Sequence, residues 1–130
     1  MSAFQSDARD AIGLQLLATL ETYDADTARM VQEWPDLECY RRVSEQVERI
    51  RMYSASIPEL RVQWVELLIA HAELVHCLWR AQYSEPKAVR DQIEHVRQHH
   101  SDAVAALRAR CLRVIARTVY SRGGPSPAPA

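Results

Sequence analysis

The chain has 130 residues, 48% of them apolar and 25% charged, an ordinary balance for one globular domain with a real core. Of its three glycines only Gly13 lies before residue 123, which excludes a phosphate-cradling loop, a dinucleotide-binding fold and a kinase. The formal net charge is −1, yet residues 1–38 hold eight acids against two arginines, residues 39–102 nine charges of each sign, and residues 103–130 five arginines and no acid.

Sustained period-2 alternation is missing, whereas helical periodicity recurs along the chain. The first predicted helix spans Asp7 to Thr22, with Ser6 as N-cap and Ile12, Leu16, Leu17 and Leu20 as its apolar stripe. The run Tyr23-Asp24-Ala25-Asp26 reads as a break, followed by a short helix from Asp26 to Glu33. Pro35 disfavours helix at Trp34, and a further helix is expected from Asp36 to Tyr53 with the stripe Tyr40, Val43, Val47 and Ile50. Ser56-Ile57-Pro58-Glu59 has the pattern of a capping box, with proline in the first turn, and opens a helix running to Tyr83. Two apolar stripes descend that helix. One is Leu60, Trp64, Leu67, His71, Leu74 and Leu78; the other is Val65, Ile69, Ala72, His76, Trp79 and Tyr83. A helix apolar on two faces is expected to be central and buried on both. Ser84-Glu85-Pro86 starts a last, long helix that reaches about Val119, with a break marked at His99-His100-Ser101-Asp102.

The expectation is an all-α fold: a four-helix, or five-helix, mostly antiparallel bundle with a long C-terminal helix. Short connections make the last three helices run up-down-up, with the first packed across them and its acids beside the arginines of the last. Residues 1–122 form the single domain, and residues 123–130 a disordered Pro/Gly/Ala tail. Cys39, Cys77 and Cys111 are odd in number without C-x-x-C spacing, and Met1 to Asp7 lacks the features of a secretory signal, so reduced thiols and a cytoplasmic location are expected. The most apolar stretch, Val62 to Trp79, carries Glu66 and Glu73, which argues against a membrane span.

The five histidines offer the main chemistry. Glu73-Leu74-Val75-His76 is a lone E-x-x-H motif where a di-iron bundle needs two. His95 and His99 share a helix face with Asp91 and Asp102 and could hold a divalent metal given a third ligand. His71 and His100 fall on apolar stripes, either as core histidines or as the lining of a small-molecule or metal pocket near Glu66 or Glu73. The candidate metal residues are therefore His71, Glu73, His76, His95, His99 and His100; no other cofactor is implied. Arg110, Arg113 and Arg117 share one stripe and could meet nucleic acid or an acidic partner, although cations at a helix C-terminus also favour the dipole. No nucleophile elbow is present, and an enzyme is not expected. The leading functional expectation is a small interaction module acting through protein–protein contacts, as a homodimer or with another protein. The alternatives are metal or small-ligand binding, and then nucleic-acid binding.

Overall fold

The structure, a computed structural model, describes the backbone of residues 3–83 and 86–123 and the side chains of 7–83, 87 and 89–117. Four helices make up the described residues: α1 (Ala3–Gln32), α2 (Leu37–Ala55), α3 (Arg61–Ala81) and α4 (Pro86–Gly123), with a 3-10 turn over Pro58–Leu60 before α3. The fold is all-α. The tail from residue 124 and the Ser84-Glu85 start signal lie outside the described residues.

Helix α1 runs without interruption for 30 residues, so the expected break at 23–26 and the separate short helix do not form. Tyr23, Thr27 and Met30 continue the stripe of Leu16 and Leu20 at alternating spacings of three and four, and all five are buried. Asp24 and Ala25 fall on the wet face and cost the helix little, while Asp26 turns to α2, where it accepts a hydrogen bond from Gln46 Nε2 at 2.8 Å. Ser6 lies within the helix rather than at its cap.

Helix α2 starts from Asp36, whose carboxylate accepts from the backbone N–H groups of Glu38 and Cys39, as an N-cap should. Its buried face is Cys39, Val43, Gln46, Ile50 and Ser54; Tyr40 and Val47 are only half-buried, on the flank facing α3. The capping box expected at Ser56 is not made. Ser56 still closes α2 in a helical conformation, its hydroxyl donates back to the Met52 carbonyl, and Glu59 pairs with Arg9 of α1. A guanidinium from another helix outcompetes the local backbone N–H for that carboxylate.

Helix α3 buries its first stripe: Leu60, Leu67, Leu74 and Leu78 are fully covered, with Trp64 and His71 half-buried. Each such leucine stabilises the fold by about 1.5–3 kcal/mol. The second stripe is not buried. Val65, Ile69, Ala72, His76 and Tyr83 face outward and Trp79 is partly covered by Trp34 and Tyr40, so α3 is covered on one side and largely open on the other. Helix α4 spans 38 residues, about 57 Å at 1.5 Å per residue. It passes straight through His99–Asp102 because Ser101 and Asp102 are exposed and leave its hydrogen-bond ladder intact.

Contacts between distant residues fix the topology. Gly13 meets Cys111 and Ile115, and Tyr23 meets His100, so α1 and α4 are antiparallel. Asp26 meets Cys39 and Gln46, which sets α1 against α2. Glu59 meets Arg110 and Glu73 meets His99, which sets α3 against α4. The first helix is thus a full member of an up-down-up-down bundle and does not lie across it. Of the neighbouring pairs, helices α2 and α3 touch least, joined at one end by the 3-10 turn and at the other by the edge-to-face rings of Trp34, Tyr40 and Trp79.

Candidate functional sites: a buried Tyr–His cluster and an exposed helix face

The stripes of three helices carry Tyr23, His71 and His100 to one level of the core. Tyr23 Oη lies 2.8 Å from His71 Nδ1 and 2.6 Å from His100 Nε2. A phenol has one proton to give. It donates to one imidazole nitrogen and accepts from the other, which must carry its own N–H. The chain imidazole–phenol–imidazole is therefore satisfied when both rings are neutral.

The surroundings favour that neutral form. Burial pushes the His100 pKa down to about 4, helped by the neighbouring rings of His71 and His99. Burial also lowers His71. The Tyr23 phenol is held well above its ordinary value, chiefly by burial, with Thr27 acting in the opposite sense. Thr27 is only 3% exposed. Its hydroxyl is sealed from solvent and lies close enough to the phenol to favour its ionised form slightly. A cavity of about 160 Å³ opens beside it, lined by Asp24, Thr27, Val31, Leu74, Arg97 and His100.

The six candidate metal residues are divided among separate places. His71 and His100 turn inward to Tyr23. His99, one residue on, turns outward and bridges to α3: Nδ1 is 3.2 Å from Glu73 and Nε2 3.9 Å from Glu66. The two glutamates expected near the core histidines serve this surface contact instead. His76 and His95 are exposed on different helices. Among the described residues no group of three or more His, Cys, Asp or Glu side chains is placed to hold one metal ion. Of the three arginines, Arg110 is half-buried and its Nε donates to the Glu59 carbonyl at 3.4 Å, while Arg113 and Arg117 are exposed. All three cysteines are free and buried; burial raises the Cys77 thiol, and that of Cys111 to about 11, which keeps both protonated.

The second candidate site is the open face of α3. Val62, Val65, Ile69, Ala72, His76 and Trp79 repeat at spacings of three and four, with Leu68 alongside and Tyr83 just beyond the helix. Val62 is 69% exposed, Ile69 47% and Tyr83 86%. Together these side chains present an exposed apolar face, a kind of surface that is often functional on soluble proteins. Tyr23, Thr27 and Arg97 carried no signal of chemistry in the sequence; the one clue was the spacing of Tyr23 and Thr27 in register with Leu16 and Leu20. No helix among the described residues is long and apolar enough to cross a membrane. Compared with protein-family models, curated proteins and solved structures, the chain matches none.

Proposed function

We propose that this protein is a helical interaction module that pairs with a second copy of itself through the outward face of α3. The observation that carries this reading is the heptad spacing of exposed apolar residues from Val62 to Trp79 on a helix already anchored by its opposite side. A face with that repeat is complementary to another helix running alongside it. Antiparallel pairing about a two-fold axis between Ile69 and Ala72 sets Val62 against the second copy's Trp79, Val65 against its His76, and Ile69 against its Ala72. Each pair matches a larger side chain with a smaller one, as isologous packing requires. The sparse contact between α2 and α3 leaves room for the approach. A binding role without catalysis, in the reducing cytoplasm, agrees with the three free buried thiols.

Light scattering on the purified chain tests this. The expected mass is twice 14.9 kDa. Ile69→Glu is expected to return the protein to a monomer without loss of helix content, because the side chain is exposed in the single copy. A wild-type protein that stays monomeric at high micromolar concentration, or an Ile69→Glu variant that still dimerises, overturns the reading.

A further inference from the structure

The flank of the α3 face carries a further inference, which rests on the pairing proposed above. Glu66 follows Val65 and Glu73 follows Ala72, so the two carboxylates stand seven residues apart on the side of the exposed face that adjoins α4. His99 of α4 lies between them. Its Nδ1 donates to Glu73 Oε2 at 3.2 Å. In the neutral ring that hydrogen bond places the one proton on Nδ1 and leaves a lone pair on Nε2. Nε2 faces Glu66 Oε2 at 3.9 Å, beyond hydrogen-bonding distance. Two acceptors thus converge on one point with no hydrogen between them, while a carboxylate holds the ring from its other side. A metal-ligating histidine is held in the same way, its other ring nitrogen donating to an acid.

One copy brings two ligands to that point, and among the described residues no third joins them. A second copy supplies it. The two-fold axis between Ile69 and Ala72 that sets Val65 against the second copy's His76 also sets Glu66 beside the second copy's Glu73, on the same flank. Without a cation, two like charges meet there across the seam. Glu73 uses Oε2 for its own His99, which leaves Oε1 to face the other copy. We propose that the paired protein binds two divalent cations of the zinc class, one at each symmetry-related place. Each is held by His99 Nε2 and Glu66 of one copy and by Glu73 of the other. One imidazole with two carboxylates suits zinc, whereas magnesium prefers an all-oxygen shell and keeps its water. All three side chains reach solvent, so substituting them leaves the core intact.

Sedimentation equilibrium of the untagged chain at neutral pH measures the pairing constant in EDTA, in magnesium chloride and in zinc chloride. Zinc at about ten times its own dissociation constant is expected to tighten pairing by about tenfold or more over EDTA, and magnesium to leave it near the EDTA value. His99→Ala and Glu66→Gln are expected to fold, to pair in EDTA and to lose the zinc response. His95→Ala, one turn away on α4, is expected to keep it. Glu66→Gln/Glu73→Gln removes the like charges from the seam and is expected to pair more tightly than wild type in EDTA. A wild-type dimer whose constant is the same in zinc and in EDTA overturns the cation site and leaves the pairing standing. So does a zinc response that survives His99→Ala, or one that magnesium matches. A chain that stays monomeric in EDTA and in zinc overturns both readings.

Discussion

Tyr23 joins two imidazoles that are several helical turns from each other in sequence, and the single phenolic proton sets the protonation states of both. A second proton on this chain would leave Tyr23 facing two N–H groups with its own hydrogen unplaced. That constraint becomes a pH dependence. In the unfolded chain His100 titrates near its ordinary 6.5, and in the fold near 4. Between those values the unfolded state takes up a proton that the native state refuses, so the stabilising contribution is complete above pH 6.5 and is lost as the pH falls towards 4. A depression of this size is worth roughly 3 kcal/mol, and His71 adds to it in the same direction. The carboxylates held low by arginines, Glu59 by Arg9 among them, lose their contribution only below their ordinary 4.5, so the window above that belongs to the histidines. Urea unfolding at pH 7.5 and pH 4.8 is expected to show a marked loss for wild type and a smaller one for His100→Gln; equal losses would rule the account out. The two histidines were legible as inward-facing because they sit in register with leucines. Tyr23 was not, because its neighbours Asp24 and Asp26 resemble a helix break, and only the continuation to Thr27 and Met30 shows that they line the wet side.

At the scale of elements, departures from local sequence logic occur where a partner from another helix intervenes. Ser56 and Glu59 have the spacing of a capping box, but Arg9 takes Glu59 and the box stays open. The second stripe of α3 has the composition of a buried face, but burial needs a neighbouring helix, and the described residues provide none there. Periodicity states which residues share a face; it cannot state whether that face is covered. Gly13 shows the reverse case, in which a residue poor for helices marks a contact. Its absent side chain lets α1 approach α4: a Cβ there would lie 2.8 Å from Ile115 Cδ1 and 2.9 Å from Ile115 Cγ1, and Cys111 donates its thiol hydrogen to the Gly13 carbonyl. Alanine would favour the helix by about 1 kcal/mol, whereas overpacking a tight contact costs about 1–3 kcal/mol. Gly13→Ala is therefore expected to destabilise the protein modestly despite its better propensity. Ile115→Ala alone should also destabilise, by opening a gap. The double variant should be more stable than the sum of the two single losses allows, since the new methyl enters the vacated space. A double-mutant cycle by chemical denaturation measures that coupling, and a coupling of zero or of opposite sign counts against close packing at Gly13.

For the whole molecule, the uneven charge distribution acquires a direction from the topology. Antiparallel packing brings the acidic start of α1, with Asp7 and Asp10, to the end of α4 that carries Arg110, Arg113 and Arg117. Arg110 is committed to the Glu59 carbonyl, and Arg117 lies close enough to Glu59 to help hold its carboxyl low. These interactions engage Arg110 and Arg117 within the chain. They also predict a salt dependence opposite to that of an apolar core. Raising the ionic strength from about 0.01 to 0.15 M shortens the screening length from roughly 30 to 8 Å, which covers the spacing between exposed charges on adjacent helices but leaves hydrophobic burial unaffected. Thermal unfolding is expected to move down by a few degrees over that range. Arg113→Gln/Arg117→Gln should start lower and respond less to salt, because two of the cations that the acidic helix end attracts are gone. If the wild-type midpoint were independent of salt, or if both proteins responded equally, the attraction between the ends of α1 and α4 would contribute nothing measurable. The exposed arginines would then be left free to meet an external anion.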